Sequence, residues 1–266
     1  MSILELHDVN LVYHSENGET ETLKNISLNI EDGEFVSIVG PSGCGKTSLL
    51  SLIAGIIQPS SGKILIDGEN AKINNEVKYM FQKDHLFTWR TIEENIYLGL
   101  EIEYAKNKKN PNAKEIFESK KEYGLKLLEK YGLIEFKNHY PHQLSGGMRQ
   151  RVALIRTLAL NPKILLLDEP FSAIDFQNRL KLCDDVSNII QAENKTAILV
   201  THDISEAISM SDKIVVLTKR PATIKNIHTI DLKKYGEPLK RRDCPEFNQY
   251  FDNIWKELSY GWNWKK

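Results

Sequence analysis

The chain has 266 residues, of which 41% are hydrophobic and 27% charged, a size and balance typical of a globular α/β domain. Lys and Arg number 35 and Asp and Glu 36, and the net charge of -1 gives no electrostatic support for nucleic-acid binding. No apolar run is long enough to cross a bilayer, and the acidic N-terminal segment lacks the apolar stretch of a signal peptide.

The chain begins with segments that predict β-strands. Residues 3–13 (ILELHDVNLVY) and 23–30 (LKNISLNI) predict an antiparallel layer, separated by a polar turn at Ser15–Thr22. Residues 34–40 (EFVSIVG) predict a buried strand. Residues 58–69 (QPSSGKILIDGE) predict a turn that leads into a further strand.

A glycine-rich turn, GPSGCGKT at 40–47, follows the buried strand and fits the pattern Gly-x4-Gly-Lys-Ser/Thr. Glycines let successive backbone N–H groups point at phosphate oxygens, and the following helix directs its positive end at the same anion. That helix carries apolar residues at Leu49, Leu50, Ile53, Ile56 and Ile57. Lys46 is expected to reach the β and γ phosphates, and the Thr47 hydroxyl to hold Mg²⁺. The predicted nucleoside triphosphate site comprises Gly40, Pro41, Ser42, Gly43, Cys44, Gly45, Lys46, Thr47 and Ser48.

Two interpretations of Cys44 are open. Its position among N–H groups favours a thiolate, which predicts that alkylation blocks nucleotide binding and that ATP protects. In the alternative, Cys44 is a small residue tolerated at a variable position. The three scattered cysteines are typical of a reduced cytosolic protein.

Helical spacing dominates residues 86–160, in which the lysine-rich segment 105–114 (AKNKKNPNAK) predicts a solvated loop. Beyond it, KILLLDEP (163–170) and TAILVTHD (196–203) predict buried parallel strands, separated by a helix at about 176–193.

Two adjacent acids, Asp168 and Glu169, close the first of these strands, at the sheet edge where ligands bind. Asp168 is expected to orient Mg²⁺ through its water shell, and Glu169 to polarise an attacking water. Together with the Lys46 turn, they predict hydrolysis of a nucleoside triphosphate.

A second anion-binding element is predicted at LSGGMRQRVALIRTLAL, residues 144–160. Ser145 is a suitable N-cap, and the two glycines leave N–H groups open at the start of the helix. Such a terminus is superfluous if one chain completes its own site. It has a purpose if it clamps the γ-phosphate bound by another chain.

These motifs resemble those of the ATP-binding-cassette (ABC) ATPases over nearly the whole chain. By this resemblance, Gly40–Thr47 is similar to the Walker A loop, Asp168 to the Walker B aspartate and LSGGM to the family signature. It implies an α/β P-loop NTPase fold, with a RecA-like core, an N-terminal antiparallel β layer and an inserted α-helical subdomain. It also implies ATP and Mg²⁺, the metal being held by Thr47, Gln82 and Asp168.

The resemblance implies further residue roles. Glu169 resembles the catalytic glutamate, and His202 resembles the switch histidine that contacts the γ-phosphate. Gln82 resembles the Q-loop glutamine, which touches Mg²⁺ and the attacking water and relays to a membrane subunit. The residues implied to contact the ATP of a partner chain are Ser145, Gly146, Gly147, Met148 and, in the D-loop FSAID, Asp175. Tyr13 matches the aromatic residue on which adenine stacks, although a strand aromatic is more often part of the core.

The expected ABC ATPase domain covers residues 1–240, with the helical subdomain at about 86–160, and a C-terminal amphipathic helical tail covers 241–266. One face of the tail carries Phe247, Tyr250, Phe251, Ile254, Trp255 and Leu258. This face covers the chain's own core or, alternatively, meets a permease. Trp89, with Leu86 and Phe87, either lines a groove for a permease helix or anchors the helical subdomain.

A single set of motifs, without sustained heptads or membrane helices, favours a free-standing cassette over DNA-repair, two-cassette and fused-exporter types. Residues 81–101 (FQKDHLFTWRTIEENIYLGLE) and 217–224 (LTKRPATI) resemble the importer ATPases of the nitrate/sulfonate/taurine group. Two departures are LIRTLAL (154–160), where the family commonly has ARAL, and a longer helical subdomain around 106–114.

The resemblance to importers implies several partners and a location. The chain would pair with a second copy or a homologous ATPase subunit, dock on integral-membrane permease subunits and serve an extracytoplasmic solute-binding protein indirectly. It would then lie at the cytoplasmic face of the membrane, with no nucleic-acid partner. The alternative is a soluble ABC ATPase with a regulatory or assembly role and no permease; the sequence does not specify a solute.

Overall fold

Two β-sheets organise the protein, which a computed structural model describes at residues 2–16, 18–70, 76–172 and 174–259. The strands are β1 (Ser2–Ser15), β2 (Gly18–Glu31), β3 (Phe35–Val39), β4 (Ser61–Ile66), β5 (Glu69–Asn70), β6 (Val77–Met80), β7 (Ile164–Asp168), β8 (Thr196–Val200), β9 (Lys213–Leu217) and β10 (Ile224–Thr229). The helices are α1 (Lys46–Ile53), α2 (Ile92–Lys106), α3 (Ala113–Lys130), α4 (Gly146–Leu158), α5 (Phe176–Ala192), α6 (Ile204–Met210), α7 (Pro238–Arg241) and α8 (Pro245–Ser259). Short 3-10 turns lie at Ile134–Phe136, Pro141–Gln143 and Lys233–Tyr235.

The N-terminal sheet is antiparallel, with strand order β2-β1-β4-β5, as the sequence predicts. The predicted turn at Ser15–Thr22 is wrong in extent, because Tyr13 pairs with Thr20 and His14 with Glu19. Backbone hydrogen bonds of a hairpin do not require apolar side chains, and one face of an antiparallel sheet can meet water. The polar residues therefore extend the strands instead of interrupting them.

The second sheet carries the predicted buried parallel strands in the order β10-β9-β3-β8-β7-β6. The five strands β9, β3, β8, β7 and β6 are parallel to one another, whereas β10 is antiparallel to β9. Every residue of β3, β7 and β8 is buried, which explains why these strands read as continuous apolar runs. The carboxyl ends of β3, β8, β7 and β6 therefore lie side by side along one edge of the sheet.

Helix α1 is shorter than its apolar pattern suggests. It ends at Ile53, and Gly55 follows in a left-handed conformation with φ 70°. Ile56, beyond this turn, is exposed, whereas Leu49 and Leu50 are buried in the core. The apolar spacing through Ile57 therefore predicts a longer helix than the one that forms.

Helices α2, α3 and α4 pack against each other in the segment predicted to be helical. Residues 107–112 form the turn between α2 and α3, so the lysine-rich loop is shorter than predicted. Buried Asn95 donates to the carbonyls of Phe87, Arg90 and Thr91 and accepts from the Phe87 N–H, which fixes the loop that carries Trp89. Leu86 is buried, but Trp89 is 72% exposed, so Trp89 does not anchor the helices.

Helix α8 packs mainly on α6 and β9. Phe247 and Ile254 are buried, with Tyr250, Phe251 and Leu258 half-buried against the same cluster. The apolar face of the tail thus covers the chain's own core, with one exception: Trp255 is 56% exposed. Residues 260–266 of the predicted tail lie outside the described residues. No helix among the described residues is long and apolar enough to span a membrane.

Candidate functional site

The predicted phosphate-binding turn lies between β3 and α1, at one side of a cavity of about 760 Å³. The cavity is lined by Gly40–Gly43 and 45–48 of the turn, by Glu169 and His202, and by residues at the end of α8. Gly45 has φ 120°, and a Cβ there would lie 2.9 Å from Thr22 Cγ2. Only glycine fits this position, so the turn is held against the N-terminal sheet without side-chain interference.

Two positively charged side chains contact the main chain of this turn. Lys46 Nζ donates to the carbonyl oxygens of Gly40 at 2.9 Å and Pro41 at 3.1 Å, which places the ammonium beside the cavity. Arg220 Nη2 donates to the Gly43 carbonyl at 2.6 Å and also lines the cavity. A role for Arg220 could not be predicted from the sequence, because nothing in LTKRPATI shows that this loop crosses over the Gly43 turn.

Asp168, at the end of β7, accepts hydrogen bonds from two neighbours. Thr47 Oγ1 lies 3.3 Å from Asp168 Oδ1, and the Tyr79 hydroxyl donates to Oδ2 at 2.8 Å. Burial raises the pKa of Asp168, and these two hydrogen bonds oppose the rise. Burial and the nearby Asp168 raise the pKa of Tyr79, so its hydroxyl remains a donor.

Tyr79 sits on β6 beside β7, so its role could not be predicted from the sequence before the strand order was known. The Thr47 hydroxyl and the Asp168 carboxylate are hard oxygen donors on adjacent elements, the type of ligand that Mg²⁺ prefers. Thr47 and Asp168 are therefore suitable ligands for Mg²⁺, with phosphate oxygens as further ligands.

Glu169 follows β7 in a left-handed conformation with φ 45°, and its N–H donates to the Val200 carbonyl at 2.9 Å. Its Oε2 lies 3.2 Å from His202 Nδ1. The two side chains come from adjacent strands, β7 and β8, and both line the cavity. A carboxylate and an imidazole at this distance can orient a water and share its proton.

Gln82, beyond β6, is connected to this pair indirectly. Its Nε2 donates to Ser172 Oγ at 2.9 Å, and Ser172 Oγ donates to the Glu169 carbonyl at 3.0 Å. Gln82 is exposed and is not among the residues that line the cavity. Its implied contact with Mg²⁺ therefore stays a prediction.

The signature segment lies elsewhere on the surface. Ser145 is the N-cap of α4, as predicted, because its Oγ accepts the Met148 N–H at 3.3 Å. A Cβ on Gly147 would meet no atom within 4 Å, so this helix end is open on that side. None of Ser145–Met148 lines the cavity.

Asp175 is likewise outside the cavity lining. It caps α5 by accepting the Asn178 N–H at 3.2 Å, and its hydrogen bonds with Asn178 lower its pKa. Because the first N–H groups of a helix have no intrahelical partner, both α4 and α5 present open termini on the surface.

Two arginines of α4 hold the segment after Gln82. Arg149 Nε donates to Asp84 Oδ2 at 2.9 Å. Arg156 donates to the main-chain carbonyls of Asp84 and His85, both at 2.7 Å. These hydrogen bonds join the signature helix to the segment after Gln82.

Tyr13 lies on β1 and is 43% exposed, so it is not a core aromatic. Its hydroxyl donates to Ser48 Oγ at 3.2 Å, next to the turn. The exposed ring is available to stack on a flat ligand; the adenine contact stays a prediction.

Cys44 is only 2% exposed. Burial raises the pKa of its thiol, against the opposing influence of Lys46. The thiolate interpretation is therefore not supported. The structure favours the alternative in which Cys44 is a small packing residue, with its Sγ 3.0 Å from where a Cβ on Gly40 would lie.

Thiol labelling checks this conclusion. We expect slow modification of Cys44 in the folded protein near neutral pH, accelerating as the pH rises, because a raised pKa leaves little thiolate. Mass spectrometry of the alkylated chain gives the rate at each cysteine. Cys183 and Cys244 are buried internal references, and labelling in guanidinium chloride is the unfolded control. Fast labelling of Cys44 that ATP prevents would restore the thiolate interpretation.

Comparison with known proteins identifies the family. Residues 23–172 match the family described as ABC transporter. A Bacillus subtilis protein, the uncharacterized ABC transporter ATP-binding protein YtlC, is 48% identical over 97% of this chain and 96% of its own length. The nitrate import ATP-binding protein NrtD of Synechocystis is 40% identical over 94% of this chain and 93% of its own.

A solved structure has the same fold. The dimeric ATP-binding cassette MJ0796, in a post-hydrolysis state bound to ADP and Pi, matches with a TM-score of 0.68 and 32% identity over 86% of this chain and 99% of its own. The turn with Lys46, the acids that close β7 and the signature helix α4 all fall on the matching fold or family region. This chain belongs to the ABC transporter family and is one of its ATP-binding, ATP-hydrolysing cassettes.

Proposed function

We propose that this chain hydrolyses ATP·Mg²⁺ as one half of a head-to-tail dimer and thereby drives an importer for a small solute. One observation carries the proposal. Lys46, Asp168, Glu169 and His202 lie at the ends of three adjacent parallel strands, whereas the signature segment Ser145–Met148 is open and does not line the same cavity. A two-fold dimer supplies to each cavity the signature segment of the other chain.

The geometry supports the following mechanism. Lys46 and the turn N–H groups would hold the phosphates, and Thr47 and Asp168 would hold Mg²⁺, which would supply charge stabilisation. Glu169 orients a water for in-line attack on the γ-phosphorus. The new P–O bond forms as the bond to the ADP oxygen breaks, and the water proton passes to Glu169. His202, whose Nδ1 lies 3.2 Å from Glu169 Oε2, would contact the γ-phosphate. Ser145 to Met148 and Asp175 of the partner complete the site.

Closure and reopening of this dimer would be transmitted to a permease. The exposed Trp89 lies on the loop that follows Gln82, and Asn95 fixes that loop from within. An exposed aromatic on a fixed loop is suited to receive a helix from another subunit. The chain would then be held at the cytoplasmic face of the membrane through that permease.

The solute class is inferred from similarity. The 40% identity to a protein named for nitrate import and the resemblance of residues 81–101 support a small anion such as nitrate or an organosulfonate. In such importers the solute itself meets a separate extracytoplasmic binding protein and the permease.

Co-purification from the native host tests the transport part of the proposal. The tagged chain is recovered from membranes in mild detergent, and its partners are identified by mass spectrometry. We expect a multi-span permease and a solute-binding protein, and Trp89→Ala is expected to reduce the recovered permease while ATP binding is unchanged. A complex without any membrane subunit would instead support a soluble ABC ATPase with a regulatory or assembly role.

A further inference from the structure

Two exposed aromatic residues lie next to the two parts of the proposed composite site. Trp255, at the end of α8, is 56% exposed and lines the nucleotide cavity. Phe176 is 61% exposed and directly follows Asp175, the D-loop residue. Large apolar side chains exposed beside a functional site are frequent markers of an interface.

The Trp255 ring is held in a defined position. It stacks on Phe251, with ring centroids 6.2 Å apart and an interplanar angle of 7°. In the same turn, Glu257 accepts from Asn226 Nδ2 at 2.8 Å and lies 3.1 Å from His228 Nε2, which attaches the end of α8 to β10. Trp255 and Leu258 therefore form a fixed apolar wall of the cavity.

The Phe176 ring is also fixed. It begins α5, directly after the Asp175 cap, and the Arg179 guanidinium lies 5.7 Å from its centroid. Arg179 in turn pairs with Asp203 at 3.9 Å and Glu206 at 3.7 Å on the His202 side of the sheet. A preorganised side chain loses little conformational entropy when it is buried by a partner.

We propose that Phe176 of one copy packs against Trp255 and Leu258 of a second copy when the dimer closes, so that α8 is part of the dimer interface. The inference rests on the proposed head-to-tail arrangement. If Asp175 of one chain faces the Lys46 turn of the other, Phe176, one residue further on, meets the cavity wall that carries Trp255. Two-fold symmetry repeats the contact on the other side.

The test measures ATP-dependent dimerisation in a Glu169→Gln background, in which hydrolysis is expected to be very slow. Analytical ultracentrifugation gives the dimer dissociation constant for this parent, for Trp255→Ala, for Phe176→Ala and for the double variant. Each single substitution is expected to weaken the dimer at least about ten-fold, because an aromatic contact is lost twice per dimer. The double variant is expected to be no weaker than Phe176→Ala, since that substitution already removes the contacts with both Trp255 and Leu258.

Trp89→Ala is the matched control, because it removes a tryptophan that is 72% exposed and does not line the cavity. It is expected to dimerise like the parent. Trp255→Phe keeps a ring and is expected to recover most of the affinity, and melting temperatures verify that each variant folds.

The outcomes separate this inference from the proposed function. A parent that stays monomeric with ATP would overturn the head-to-tail mechanism. A parent that dimerises, with a Trp255→Ala variant that dimerises equally tightly, would overturn only the α8 contact. If the double variant raised the dimer dissociation constant by the product of the two single effects, Trp255 and Phe176 would not be in contact. Loss of ATP binding by the Trp255→Ala monomer would make Trp255 a nucleotide contact and also overturn the inference.

Discussion

Replacing Glu169 by Gln is expected to lower ATP turnover by about a thousand-fold and leave ATP binding intact, since a general base typically contributes about 10² to 10⁴ in rate. Gln has the same shape as Glu but cannot take the proton of the attacking water. The main chain at Glu169 is fixed by its hydrogen bond to the Val200 carbonyl, so the substitution should not disturb the cavity. Phosphate release and nucleotide titration measure the two quantities separately, and sedimentation should show a persistent dimer with ATP.

Glu122→Gln is a suitable control, because this exposed residue of α3 pairs with Lys126 one turn away and does not line the cavity. Its turnover should match that of the unaltered chain. Normal hydrolysis by Glu169→Gln would show that another group accepts the proton, and His202, 3.2 Å away, would be examined next.

Two inactive variants are expected to regain activity when they are mixed. Lys46→Ala removes the phosphate-binding cation, and Gly147→Asp places a negative charge at the open end of α4. A side chain at Gly147 meets no neighbouring atom within 4 Å, so the variant should fold normally. A mixed dimer contains one intact site, made from the Lys46 turn of one chain and the signature of the other. Half of the dimers in an equal mixture are mixed, so phosphate release should reach at most about a quarter of the unaltered rate.

Mixing Lys46→Ala with Glu169→Gln provides the matched control. Both substitutions affect the same half of the composite site, so no arrangement of the two chains gives an intact one. This mixture should stay inactive. Equal recovery in both mixtures would contradict a site shared between chains.

The local parts of the site could be predicted from the sequence, because each depends on neighbours along the chain. The Lys46 turn between strand and helix, the Ser145 cap of α4 and the acids that close β7 are all of this kind. The buried strands β3, β7 and β8 were equally clear from their apolar runs.

Other parts depend on which strands and loops lie side by side. Tyr79 reaches Asp168 only because β6 pairs with β7, and Arg220 reaches Gly43 only because its loop crosses the turn. The exposure of Trp255 could not be derived from helical spacing, which assigns it to the same face as buried Ile254. Burial raises the pKa of Cys44 and outweighs the opposing influence of Lys46 and of the N–H groups in the turn.

The attachment of α4 to the segment after Gln82 has a mechanical consequence. Arg149 and Arg156 donate hydrogen bonds to Asp84 and His85, and the loop that contains these two residues continues to Trp89. We therefore expect a displacement of α4 to be transmitted through these hydrogen bonds to the loop that carries Trp89. In that case the distance that Trp89 travels follows from the distance that the N-terminus of α4 travels.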